Sequence, residues 1–148
     1  YAEATQSDAK KVGIKINLKN VDYNVLDGIG VRGEYDLLIS NILTEQAGDP
    51  EVFVNQYWKT NVDGSNPQNG SGYSNPEYDA LSDQLASEFD PAKRRDIIIK
   101  MEKIVQDDAA TLIFGYPQTN MVSNKSVQNA NIYPCDYYWV TKDITPAK

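Results

Sequence analysis

Two cap-and-proline signals, Asn75-Pro76 and Asp90-Pro91, constrain this chain more than any other feature. In each, a short polar side chain is suited to accept a hydrogen bond from a free backbone N–H of a first helical turn. Proline then takes the first helical position, where its missing N–H costs nothing. Glu77 and Asp79 add negative charge at the positive end of the first dipole. Tyr78, Leu81, Leu85 and Phe89 fall on one face of that helix at helical spacing. Ile97, Ile98, Met101, Ile104 and Val105 make the apolar face of the second. Lys93, Arg94 and Arg95 stand near its start, where the dipole disfavours cations, which suggests other partners for them. Arg94-Arg95 reads first as a solvated face and second as a pair for acidic loops. A strand-like run, Ala110–Tyr116, closes the segment.

Upstream, residues 2–11 read as the end of an amphipathic helix, stopped by Gly13 in the manner of a C′ glycine. Ile14, Ile16 and Leu18 alternate with Lys15, Asn17 and Lys19, the period of an edge strand with one wet face. Residues 22–31 read as a weak helix capped by Asp22, with Val25, Leu26 and Ile29 inward. Gly28 and Gly30 would each cost it about 1 kcal/mol. Residues 35–40 are apolar enough for a buried strand, and 41–49 form the loop at its carboxyl end. Residues 50–57 read as a helix capped by Asp49, with Val52, Phe53, Tyr57 and Trp58 inward; 60–73 is loop.

This alternation predicts an α/β fold, a mostly parallel sheet flanked by helices. In open α/β sheets ligands bind at the carboxyl ends of strands, which singles out the 41–49 loop. Past Ser123 the periodicity dissolves, although Tyr137, Tyr138 and Trp139 follow one another. The expected division is an α/β lobe over 1–124 and an extension over 125–148. The uncapped start and the absence of an initiating Met read as a piece of a longer protein.

The 148 residues fit one ordinary domain, and 41% hydrophobic residues can bury a core. A net charge of −7 argues against a nucleic-acid partner, because phosphate contacts need a basic face. No apolar run reaches membrane-spanning length. Cys135 stands alone, so it forms no internal disulfide, and without histidine it has no imidazole base for catalysis. The same lack of histidine disfavours zinc and copper sites, and neither metal nor cofactor is expected.

Gly28-Ile-Gly30-Val-Arg-Gly33 matches the dinucleotide-binding glycine pattern but neither leaves a strand directly nor opens a helix. It reads instead as a loop between helix and strand. Asp107 and Asp108 are helix neighbours that point apart, so they read as surface charge. Asn69-Gly-Ser71 and Asn124-Lys-Ser126 match glycosylation sequons, though Asn69-Gly70 is more simply a turn. With no nucleophile and base in view, the reading is not an enzyme.

An ordered series of motifs runs through the chain: Gly13-Ile-Lys-Ile16, Gly33-Glu-Tyr-Asp-Leu37, Gly48-Asp-Pro50, the Gly72–Leu81 stretch, Arg94-Arg95, and Asp107-Asp-Ala-Ala-Thr-Leu112. It resembles the C-terminal lobe of extracytoplasmic solute-binding proteins that serve peptide and nickel ABC importers. The resemblance implies one lobe of a two-lobed, periplasmic-binding-protein-like clamp, without the N-terminal lobe and at least one strand. It implies a periplasmic or lipid-anchored location, with the anchor outside this chain, and importer membrane subunits as partners. The tail beyond the last strand would return to the other lobe.

In peptide-binding members the loop after the central strand carries a tryptophan and an aspartate that pairs with the peptide amine. Those positions fall here on Leu43 and Gln46, so the opposite charge is absent. A peptide-like solute is the first expectation; nickel, another metal chelate or another small solute is the second. A ligand-sensing module on the same fold is the reading from a different class. Asn41, Thr44, Glu45 and Gln46 would face the cleft, with Tyr73 as a wall and Tyr116 and Asn120 flanking it. Each has a plain alternative: a polar loop, packing of Tyr73 under Tyr78, or a core position for Tyr116. Cut from its other lobe, such a piece is expected to dimerise through the apolar tail or a sheet edge.

Overall fold

Four of five helices begin at a carboxylate or amide that the sequence supplies in the right place. In a computed structural model, which describes residues 1–42, 48–118, 120–133 and 140–147, the helices are α1 (Ala2–Lys11), α2 (Tyr23–Arg32), α3 (Pro50–Trp58), α4 (Pro76–Ser87) and α5 (Pro91–Asp107). Asp22, Asp49, Asn75 and Asp90 cap α2 to α5, each side chain accepting from backbone N–H of the first turn. Helix α1 has no side-chain cap. It ends as expected of a C′ glycine: Gly13 has φ +83°, and the Gly13 and Ile14 N–H groups donate back to Lys10 and Ala9. The chain forms two compact units, Tyr1–Leu112 and Ile113–Lys148.

In the first unit α3, α4 and α5 pack around Val54, Tyr78, Leu85, Ile97, Ile98, Met101 and Val105, with Phe53, Trp58, Tyr73, Leu81 and Ile104 against them. The expected face of α5 is therefore buried in full or in part. Two polar groups inside are satisfied: Tyr78 OH donates to the Val54 carbonyl at 2.6 Å, and Ser82 Oγ to Asn55 Oδ1 at 2.8 Å. Phe89 leaves the expected α4 face and is 86% exposed, because α4 stops at Ser87 and Glu88 turns extended. Val52 is likewise exposed; Val54, two residues on, takes the inward position.

The 60–73 loop is held by side chains rather than by secondary structure. Asp79 of α4 accepts from Thr60 N at 2.9 Å and from Thr60 Oγ1. The Lys59 carbonyl at the end of α3 accepts from Asn66 Nδ2 at 2.7 Å and from Asn69 Nδ2 at 2.9 Å. Asn69 Nδ2 also donates to the Tyr73 carbonyl, and its Oδ1 accepts from Ser71 Oγ.

The glycine motif does not lie in a loop. Gly28 and Gly30 are inside α2, and Gly33 ends it in the left-handed conformation at φ +63°. Gly70 passes main chain against main chain over this helix end: a β-carbon on Gly70 would meet the Gly30 carbonyl carbon at 2.7 Å. That approach requires glycine at 70, whereas a β-carbon on Gly30 would meet Leu38 Cδ2 at 3.4 Å.

The expected strands at 14–18, 35–40 and 110–116 carry no ladder, so the parallel sheet is not formed among the described residues. Ile14, Leu18, Leu37, Ile39, Leu112, Ile113 and Phe114 are exposed. Alternation specifies a wet and a dry face, but an extended segment becomes a strand only when a neighbour takes its N–H and C=O groups. The ladder that is present lies in the second unit, where β1 (Val127–Gln128) pairs antiparallel with β2 (Thr145–Pro146). Ala147 N extends it to the Ser126 carbonyl at 2.7 Å, and Asn129 Nδ2 reaches the Asp143 carbonyl at 3.0 Å.

Candidate ligand-binding site

The best-built polar centre in the first unit sits where α3 begins. Asp49 Oδ1 caps the helix through Glu51 N at 2.9 Å, and Asp49 Oδ2 accepts from Arg94 Nη2 of α5 at 2.8 Å. The same Nη2 lies 2.8 Å from Glu51 Oε2, while Nη1 donates to the Leu85 and Glu88 carbonyls at the end of α4. One guanidinium thus joins the start of α3, the end of α4 and the start of α5. The backbone N–H of Glu51, then Arg94, holds the Asp49 carboxyl below its usual range. The signal was in the sequence: Arg94 is a cation at a helix start, unfavourable there unless acids face it. Lys93 stands 3.9 Å from Glu88, whereas Arg95 makes no ion pair among the described residues.

Asn41, the first residue of the loop singled out for binding, lies exposed. Thr44, Glu45 and Gln46, with Leu43, lie outside the described residues. Tyr73 packs against Tyr78. Its ring stands edge-on to Tyr78 at 6.1 Å, and its hydroxyl donates to Asp108 Oδ2 at 2.6 Å. Asn75 Nδ2 donates to the same oxygen at 2.9 Å. Burial, then the Asp108 carboxylate, pushes the Tyr73 phenol up to about 12, and these two hydrogen bonds hold Asp108 low. Asp108 is therefore a tether, while Asp107 pairs with Lys103 at 2.7 Å as surface charge. Asn41 and Tyr73 share no hydrogen bond among the described residues.

Tyr116 and Asn120 belong to the second unit and are exposed, Tyr116 at 85%. Asn120 Nδ2 makes a long 3.4 Å bond to the Gln118 carbonyl. Sequence reasoning missed Asn69, which is 3% exposed and has its amide committed to two carbonyls, leaving no room for a sugar. Nothing in the Asn-Gly-Ser triplet separates that role from a turn. No group of three or more potential metal-ligating side chains occurs among the described residues. No helix among them is long and apolar enough to cross a membrane.

No family model matches the chain. Similar proteins are nonetheless found along nearly its whole length. It is 33% identical to the probable D,D-dipeptide-binding periplasmic protein DdpA of Escherichia coli, over 86% of this chain and 24% of that one. It is 30% identical to the nickel-binding protein NikA of Staphylococcus aureus, over 94% of this chain and 27% of that one. A crystal structure of Staphylococcus aureus NikA in complex with Ni(L-His)2 superposes with a TM-score of 0.74 at 25% identity, covering 99% of this chain and 30% of that one. The chain thus spans about a quarter of the length of the curated relatives it matches.

Proposed function

We propose that this chain, a homologue of dipeptide-binding and nickel-binding proteins, is one lobe of a solute-binding protein that delivers its ligand to an ABC importer. The observation that carries the reading is the correspondence of 99% of the chain with part of NikA. Capture is by closure of two lobes around the solute, with no chemistry done on it. In this reading residues 1–124 are the ligand-binding lobe and 125–148 return to the other lobe. The segments 14–18, 35–40 and 110–116 become strands of a mostly parallel sheet once their neighbours are supplied. Asn41, Thr44, Gln46, Tyr73, Tyr116 and Asn120 are the residues of this lobe assigned to the cleft, and the protein works outside the cytoplasm.

A peptide-like solute is the first choice. The relative crystallised with Ni(L-His)2 favours a metal chelate as the second. This chain has no histidine, so a soft or borderline metal would have to reach it already dressed in ligands of its own. The test is a thermal-shift screen of the full two-lobed protein against dipeptides, tripeptides, nickel–histidine and sugars. A rise in melting temperature with peptides supports the first choice, and a rise with nickel–histidine alone supports the second. No shift with any of them, together with fusion of the gene to a DNA-binding or kinase domain, would replace transport with sensing.

A further inference from the structure

Beside its core face, helix α5 presents a stripe of Arg95, Ile98, Ile99 and Glu102, of which Ile98 alone belongs to the core. Between its first half and the start of α3 runs an open groove lined by Pro50, Pro91, Ile98 and Ile99, with Arg95 and Glu102 beside it. Ile98 is the buried floor, while Ile99 next to it is 51% exposed. Arg95 and Glu102 make no hydrogen bond or ion pair among the described residues. Their neighbours do: Arg94 is bound to Asp49 and Glu51, and Lys103 to Asp107. The groove therefore combines an apolar centre with one unmatched charge of each sign, two helical turns or about 10 Å apart.

We propose that this face pairs with a second copy of the chain, α5 running antiparallel to α5 about a two-fold axis. The order Arg95, Ile98, Ile99, Glu102 reads as its own complement when reversed. Antiparallel pairing sets Arg95 of each copy against Glu102 of the other, and Ile99 of each over Ile98 of the other. A two-fold interface uses one patch twice and so requires such self-complementarity. Ile99 supplies the apolar burial, seated on the groove floor of the other copy, and the two charge pairs fix the register and direction. A parallel pairing would set arginine against arginine, and an uncharged partner would leave both charges unmatched. The surface is distinct from the tail and from any sheet edge.

The test, which takes the chain as one lobe as proposed above, is sedimentation equilibrium on the full two-lobed protein and its variants, with circular dichroism checking that each is folded. Wild type should self-associate, and I99D should be monomeric at the same concentration. R95E and E102R should each weaken self-association by about tenfold or more, because each places like charges opposite one another. Mixing the two variants one to one should restore pairing, and so should the double variant R95E/E102R. Both positions are exposed and bond to nothing described, so loss of fold does not confuse the result. A monomeric wild type would overturn the proposal. So would single reversals that associate as tightly as wild type, or a mixture that pairs no better than its components.

Discussion

Arg94 meets Asp49 at 2.8 Å across α5 and α3, and the carboxylate it meets is the one that caps α3. A single aspartate thus serves the helix with one oxygen and the guanidinium with the other. Arg94 also reaches two carbonyls of the α4 end, so its planar fork matters as much as its charge. Arg94→Lys should lower the melting temperature by several degrees although the charge is kept, and Arg94→Met should lower it further. Thermal melts followed by circular dichroism check both. Equal melting of Arg94→Lys and wild type would show that charge alone suffices.

The glycines of α2 should separate sharply on substitution. A β-carbon on Gly28 meets mainly the movable end of Arg32, so Gly28→Ala should stabilise by about 0.5–1 kcal/mol through helix propensity. A β-carbon on Gly70 meets the Gly30 backbone, so Gly70→Ala should destabilise by about 2 kcal/mol or more. Urea unfolding of the two variants reads the opposite signs directly.

The Tyr73–Asp108 bond predicts how stability depends on pH. Tyr73 is raised from 10.0 to about 12, so its contribution is complete below pH 10 and is lost as pH climbs from 10 towards 12. Asp108 is lowered, so its contribution is present above the ordinary carboxyl value of 3.8 and fades as pH falls below it. Tyr73→Phe should flatten the alkaline limb and shrink the acid one. Denaturant midpoints at pH 3, 7, 10 and 11.5 measure this. An unchanged alkaline limb in Tyr73→Phe would assign it to other tyrosines.

At Asn69 the sign of the polar group matters more than its size. Asn69→Ala removes the donor to the Tyr73 carbonyl and leaves the Lys59 carbonyl to Asn66 alone, costing about 1–3 kcal/mol. Asn69→Asp keeps the shape but turns an acceptor towards the Lys59 and Tyr73 carbonyls, so it should cost more than the alanine. Urea midpoints rank the two, and the reverse order would move the amide's donors out of the account.

Local signals were legible, and tertiary ones were legible only where chemistry left a debt. Asp22, Asp49, Asn75 and Asp90 announced their helices because a cap acts within three residues of itself. The α5 core face followed from period alone. Phe89 was misplaced because nothing in the apolar spacing says that Glu88 ends the helix. The segments 14–18 and 35–40 had the right pattern for strands, but pairing depends on a neighbour that a pattern cannot name. Among the candidate cleft residues, Tyr73 was legible as a neighbour of Tyr78, while its bond to Asp108, 35 positions away, had no local mark.

The two ends of α3 are fastened by different physics. At its start the groups that meet are ions, Asp49 and Glu51 with Arg94. At its end the Lys59 carbonyl is met by two neutral carboxamides, Asn66 and Asn69, with the exposed Lys59–Asp83 ion pair and the Thr60–Asp79 bonds beside them. Salt, and acid strong enough to reach the lowered Asp49 carboxyl, weaken the first kind of contact and leave the carboxamides nearly untouched. As acidity or salt increases, α3 should therefore loosen at its beginning first, before the carboxamide contacts at its end give way.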